Sequence, residues 1–229
     1  MTTGPPADAA RSSAVRNSLG VGLAVGVYGV AFGAASVAAG LSVLQTSLLS
    51  LLAFTGGTQF AVVGVVAGGG TVAAALGSGL LLASRNTLYA MRLAPLLRVR
   101  GLGRLVAAHG TIDESTAMAI GQRSPELARV AFWWTFAGVF AFWNLSTVLG
   151  AVGTSALGDP NRFGLDAVIP AAFLALLAPR LRTGAIERRV ALGGAAIAVA
   201  LIPLTPPGVP VLASCAALLL AATIRGGPP

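Results

Sequence analysis

Two long apolar runs in this chain are each interrupted near the middle by polar residues. The first, Leu41 to Ala67, breaks at Thr55-Gly56-Gly57-Thr58-Gln59; the second, Thr71 to Leu97, breaks at Ser84-Arg85-Asn86-Thr87. In hydrocarbon every backbone N–H and C=O needs a partner within the protein, so such breaks persist only where they are buried in protein or line a wet cavity. Broken helices of this kind build the substrate sites of transporters.

The bilayer itself follows from composition. Of 229 residues, 55% are hydrophobic and 10% charged, with a mean hydropathy of +0.84. A soluble domain carries about 25% charged residues, so the soluble classes are excluded. An all-α, polytopic transmembrane bundle is predicted instead. Seven apolar segments supply it: Gly20 to Ala39, Leu41 to Ala67, Thr71 to Leu97, Val130 to Val152, Phe163 to Ala178, Val190 to Leu204 and Val209 to Ile224. The last three are short for full spans, which want about 20 residues. Residues 1–17 and 226–229 are expected to be disordered, flanking a single transporter domain over 18–225.

The net charge of +8 rests on fifteen arginines and no lysine. They fall mainly in the loops between apolar runs, which is the pattern of cytoplasmic loops rather than of nucleic-acid binding. Arg11 and Arg16 place the N-terminus inside, and the arginines between Arg98 and Arg129 place that loop inside as well. An odd number of crossings must separate them, so one interrupted run folds back on itself. The expectation is six crossings, both termini cytoplasmic, and one re-entrant or broken segment.

The first span carries Gly22, Gly26, Gly29, Gly33, Ser36 and Gly40 on one helix face. Small residues in that pattern let a second helix approach closely in lipid, or leave a smooth wall for a substrate path.

Candidate site residues cluster at the breaks. Gly56 and Gly57 free the backbone, while Thr58 and Gln59 bring donors and acceptors beside Phe60. A half-helix beginning there directs its positive end toward an anion such as an amino-acid carboxylate. Arg85, with Asn86 and Tyr89 nearby, is the arginine placed mid-segment; it either holds that carboxylate, pairs with Asp166, or snorkels with Arg92. Asp166, Asp113 and Glu114 are the proton-coupling candidates. The last two belong to Leu105 to Ile120, read as an amphipathic helix on the cytoplasmic side near His109. Trp143 and Asn144 sit deeper in the fourth span, where they either pack or touch substrate. The single Cys215 and single His109 exclude a disulfide framework and give no basis for a metal site or a nucleophile–base pair, so no enzyme and no cofactor is expected.

Five strings fall in a recognisable order: Phe32-Gly33, Phe54-Thr55-Gly56-Gly57-Thr58-Gln59-Phe60, Ser84-Arg85-Asn86-Thr87-Leu88-Tyr89, Thr111-Ile112-Asp113-Glu114-Ser115 and Gly164-Leu165-Asp166-Ala167-Val168-Ile169-Pro170. In these the chain resembles the AzlC/YgaZ family, the larger subunits of bacterial branched-chain amino acid exporters, over roughly Asn17 to Ile224. The resemblance implies export of valine, leucine, isoleucine or related amino acids, driven by protons, with a small hydrophobic AzlD/YgaH-type membrane partner. Two positions depart from the family. Asn86 stands where a histidine is frequent, which removes any titrating role there, and the proline common before Phe32-Gly33 is missing.

A secondary exporter subunit is the leading class. A passive channel or facilitator for small solutes is the alternative, separable by whether neutralising Asp166, Asp113 and Glu114 spares flux. No G-x-x-x-x-G-K-[ST] sequence occurs, so a P-loop does not drive the process.

Overall fold

The structure, a computed structural model, describes residues 7–157 and 167–219. All regular structure among them is helical. Two helices, α1 (Ala7–Gly26) and α2 (Tyr28–Ala38), form one bent rod joined at Val27, so helix begins well inside the segment expected to be disordered. Three more pieces complete the centre of the bundle: the 32-residue α9 (Pro125–Ala156) and two bent pairs that pack along it. Proline at the first position of α9 and the Ser124 hydroxyl, accepting from the Leu127 N–H at 3.3 Å, start that helix. The α1–α2 rod and α9 are each long and apolar enough to cross a membrane.

The rod lies parallel to α9, and the glycine stripe faces it. Ser18 Oγ donates to the Ala131 carbonyl at 3.2 Å. Further along, Gly22 meets Gly138, Gly26 meets Phe142, Gly29 meets Trp143 and Thr147, and Gly33 meets Thr147 and Ala151. A Cβ on Gly29 would stand 2.5 Å from the Trp143 carbonyl oxygen, which no real side chain tolerates. The packing reading of the stripe therefore holds, with Ser36 buried as its last helical member. Gly40, at φ +93°, supplies the left-handed backbone that turns the chain back.

The run from Leu41 to Ala67 is the one that folds back. Helix α3 (Val43–Leu52), capped by the reciprocal Ser42 and Gln45 bonds, descends α9 from its C-terminal end. Ser50 Oγ donates to Asn144 Oδ1 at 2.7 Å, and the Phe54 ring then meets Phe140 at 5.0 Å and Phe136 at 5.9 Å. After a bend at 53–55, α4 (Gly56–Ala67) climbs again, placing Phe60 edge-on to Phe32 at 5.6 Å and Val63 in one core with Ala35. The bend thus precedes Gly56, so Gly56 to Gln59 open a helix rather than interrupt one.

Helices α5 (Val72–Ala83) and α6 (Arg85–Leu97) run the other way along the bundle, bent only at Ser84. Gly79 packs on Val62 and Thr58, while Leu93 and Leu97 reach Ala128 and Phe132 near the start of α9.

The stretch expected to be one amphipathic surface helix is instead a second bent pair. Helix α7 (Leu102–His109) enters from the arginine-rich end and α8 (Asp113–Ile120) returns to it. Its tip is buried: Gly110 lies against the Phe136 ring and His109 contacts Phe54, Phe136 and Phe140. The physical reason lies in 110–112, where glycine and an extended Ile112 break the helix and apolar packing draws the bend inward. There are therefore two folded-back pairs where one was expected, opening toward opposite ends of α9 and touching at Phe54 and His109.

Helices α10 (Val168–Thr183), α11 (Ala185–Leu201) and α12 (Val209–Ser214) lie outside this centre. Phe173 of α10 meets Phe60 at 6.2 Å, and the turn at Pro207 and Gly208 covers the join of α4 and α5.

The packing forecasts opposite outcomes for two glycines of one helix rod. In detergent-solubilised protein, Gly29→Ala should lower the melting temperature, since overpacking costs about 1–3 kcal/mol. Gly20→Ala, with nothing within 4 Å of its added methyl, should leave it unchanged or raise it.

Candidate functional site

The first break divides into a clamped half and an open half. Gln59, fully buried, donates from Nε2 to the Ser50 carbonyl at 3.2 Å and the Ala53 carbonyl at 3.0 Å, and its Oε1 accepts from Trp143 Nε1 at 2.9 Å. These bonds satisfy carbonyls left free where α3 ends. Gln59 and Phe60 thus serve the packing of the bend. Trp143 and Asn144 join them: Asn144 Nδ2 donates to Phe140 O at 2.8 Å and its Oδ1 accepts from Ser50, so both belong to the packed seam.

The open half is the first turn of α4. Thr55, its N-cap, makes no side-chain capping bond, and no acidic residue lies in the first turn. Among the described residues the N–H groups of Gly56, Gly57 and Thr58 have no partner. Arg85 opens α6 directly opposite: its Nη2 lies 3.2 Å from where a Gly57 Cβ would be, with Leu82 Cδ2 at 3.9 Å from the same point. Glycine at this position is what lets the guanidinium approach the helix end.

Arg85 pairs with Asp113; Asp166, the other partner considered, lies outside the described residues. Arg85 Nη2 and Asp113 Oδ2 are 2.8 Å apart, and the two side chains are 40% and 43% exposed. Both side chains are thus partly exposed, and the Arg85 guanidinium is held by Asp113. Asp113 opens α8, where a carboxylate complements the positive helix end, and Glu114 follows it. Tyr89, one turn beyond Arg85, also faces Asp113.

Three helix starts, those of α4, α6 and α8, thus converge on one ion pair. Buried polar atoms without a hydrogen-bond partner gather there too. Of nine such atoms among the described residues, Thr58 Oγ1, Arg85 Nε, Asn86 Oδ1, Asp113 Oδ1 and Thr116 Oγ1 all belong to these first turns. A buried polar atom left unpaired is costly, so these five atoms call for partners that the protein itself does not supply.

A separate hollow of about 440 Å³ opens between α6 and α7 at the arginine-rich end. Leu93, Leu97, Arg98, Arg104 and Ala107 line it, and it reaches Thr111, two residues before Asp113.

Sequence reasoning found Gly57, Thr58, Arg85, Asn86 and Asp113 but missed that Asp113 answers Arg85. The signal was present, since Gly110-Thr111 before Asp113-Glu114 repeats the sense of Thr55-Gly56: a break followed by a helix start.

The family model described as AzlC protein matches residues 20–157, which hold both folded-back pairs, α5–α6 and α9. The chain belongs to the AzlC family. It is also 28% identical over 180 residues to a protein of Archaeoglobus fulgidus described as an uncharacterized membrane protein, covering 78% of this chain and 79% of that relative. No solved structure matches. The ion pair and its three helix starts lie within the AzlC match, whereas α10–α12 lie beyond it. This AzlC-family chain is a membrane protein with a part in transport.

The clamp yields a second forecast. Gln59→Leu strands two carbonyls and the Trp143 N–H, each costing about 1–3 kcal/mol when buried unpaired. Its melting temperature should fall well below that of Trp143→Phe, which strands only the Gln59 oxygen.

Proposed function

We propose that this chain is the large subunit of a secondary transporter that exports branched-chain or related hydrophobic amino acids across the bacterial cytoplasmic membrane. One observation carries the reading: a guanidinium and an uncapped helix N-terminus, both positive, meet at Gly57 beside a partly exposed ion pair. Together they make a carboxylate site. Asp113, released from Arg85 as the carboxylate arrives, is placed to take the ammonium group. Leu82 beside Gly57 offers apolar contact to an aliphatic side chain.

On this reading the two folded-back pairs enter the bilayer from opposite faces, both termini are cytoplasmic, and the arginine-rich end faces the cytoplasm. Membership of the AzlC family supports a small hydrophobic AzlD-type partner. Proton coupling falls to Asp113 and Glu114, because an ionisable group within a membrane bundle is retained for ion or substrate movement.

Efflux of labelled leucine or valine from vesicles holding this chain, with and without the small partner and across an imposed pH gradient, tests the reading. Arg85→Gln should cut efflux by at least about tenfold while the protein still accumulates, as loss of a charge-assisted pair to a carboxylate costs roughly 1.5–3 kcal/mol. Arg85→Lys should recover only part, because an ammonium lacks the two-pronged geometry of the guanidinium. Undiminished efflux in Arg85→Gln would overturn the site. Asp113→Asn and Glu114→Gln should uncouple flux from the pH gradient; full proton-linked flux in both would favour a passive facilitator.

A further inference from the structure

Three arginines stand at the rim of the hollow between α6 and α7. Arg98 follows the last residue of α6, Arg100 lies in the link, and Arg104 belongs to the first turns of α7; all three are exposed. Among the described residues none of them pairs with a carboxylate, the ion pair present being that of Arg85 with Asp113. Two of the three are nonetheless held in place. Arg98 Nε donates to the Pro95 carbonyl at 3.4 Å and Arg104 Nε donates to the Val99 carbonyl at 3.2 Å, both where α6 ends. Each guanidinium is thereby oriented while its terminal nitrogens keep no protein partner among the described residues.

Beneath this charged rim the hollow is apolar. Leu93, Leu97 and Ala107 are buried in its floor and share one core with Phe132. Thr111, also in the lining, spends its hydroxyl proton on the Ala107 carbonyl at 2.7 Å. Such a floor suits hydrocarbon rather than a hydrated ion. Exposed apolar side chains continue it outward: Met91 stands three residues before Ala94 and Leu105 three before Ala108, beside the lining on either helix, and they are 63% and 68% exposed.

Two tryptophans give the depth. Trp133 lies edge-on to Phe132 at 5.1 Å and packs against the core of Leu93 and Leu97, and Trp134 is 44% exposed. Arg129, one turn earlier on α9, donates from Nη1 to the Leu96 carbonyl at 3.4 Å. Tryptophan just inside a layer of arginines is the arrangement found where headgroups meet hydrocarbon. The general bias of membrane loops toward arginine accounts for basic residues at this end. It does not account for three of them set round one apolar hollow at headgroup depth.

We propose that the hollow between α6 and α7 binds an anionic glycerophospholipid of the adjoining leaflet, with its phosphate among Arg98, Arg100 and Arg104 and one acyl chain over Leu93 and Leu97. Guanidinium forks match phosphate oxygens in pairs, and a basic pocket between membrane helices at this depth is a setting that holds anionic lipid. A soluble phosphate would engage the arginines but leave the floor wet, and a zwitterionic lipid would bring an ammonium group up to three cations. The site stands apart from the pair of Arg85 and Asp113 and does not depend on what the chain transports.

Phosphatidylglycerol, phosphatidylcholine and inorganic phosphate, each titrated onto the delipidated protein in neutral detergent, test the site, with bound lipid counted by native mass spectrometry and the melting temperature followed in parallel. Phosphatidylglycerol should bind at least about tenfold more tightly than phosphatidylcholine and should raise the melting temperature, as a ligand of the folded state does. Arg98→Gln, Arg100→Gln and Arg104→Gln combined should abolish that preference. The same loss of charge through Arg182→Gln, Arg188→Gln and Arg189→Gln, at exposed positions of α10 and α11, should keep it. Ala94→Trp, which fills the hollow and spares every arginine, should also abolish binding of phosphatidylglycerol. Equal loss in the two triple variants would reduce the effect to diffuse charge, and an equal rise in melting temperature with inorganic phosphate would assign the arginines to a soluble anion. A lipid-free dimer that disappears in Ala94→Trp would give the hollow to a second copy of the chain. Each of these results, like full binding in the first triple variant or in Ala94→Trp, overturns the lipid site; should the first triple variant fail to accumulate, Ala94→Trp decides.

Discussion

Close backbone contact between the α1–α2 rod and α9 is the constraint from which the rest of this structure follows. In lipid there is little hydrophobic gain in bringing two apolar helices together, so association depends on van der Waals contact and interhelical hydrogen bonds. Gly22, Gly26, Gly29 and Gly33 permit that contact over about three turns, and Gly150 returns it from α9 against Val30. The fixed pair then presents one continuous wall. Phe32, Val139 and Trp143 on that wall make the core on which both folded-back pairs rest their tips.

Each tip must solve the same problem, a helix that stops in the middle of the bundle. At the first, Gln59 closes it by reaching back to two carbonyls of the preceding arm while Trp143 holds its oxygen. At the second, Ser115 Oγ donates to the Gly110 carbonyl at 2.6 Å and accepts from the Ile112 N–H at 3.1 Å. These local bonds let the bends persist without water. What they leave unpaired, the helix starts of α4 and α8, then becomes available for chemistry, and Arg85 stands between them. The clamped and open halves of a break are thus adjacent but carried by different residues.

That division explains how far the candidate site was legible in the sequence. Arg85 and the Gly56-Gly57 pair announce themselves, because charge and paired glycines inside apolar runs have few other uses. Gln59 and Phe60 stand in the same string, yet their roles are decided by Trp143 and Phe32, more than eighty and nearly thirty residues away in sequence. Asp113 was legible as a proton-coupling candidate but neither as the start of a helix nor as the partner of Arg85. Its segment is only moderately apolar, so hydropathy placed it at the surface, whereas packing of Gly110 and Ile112 carried it into the core.

By itself the sequence determined an all-helical membrane protein, the small-residue face of its first rod and the sites of the two breaks. Periodicity, composition and backbone freedom are local properties, and a bilayer makes local rules strict because nothing outside the chain can satisfy its backbone. Only the tertiary structure decided that the chain folds back twice, that the two bends face each other, and that Arg85 and Asp113 meet. Those outcomes depend on which surfaces touch across long stretches of chain, and many pairings of apolar helices satisfy the same hydropathy.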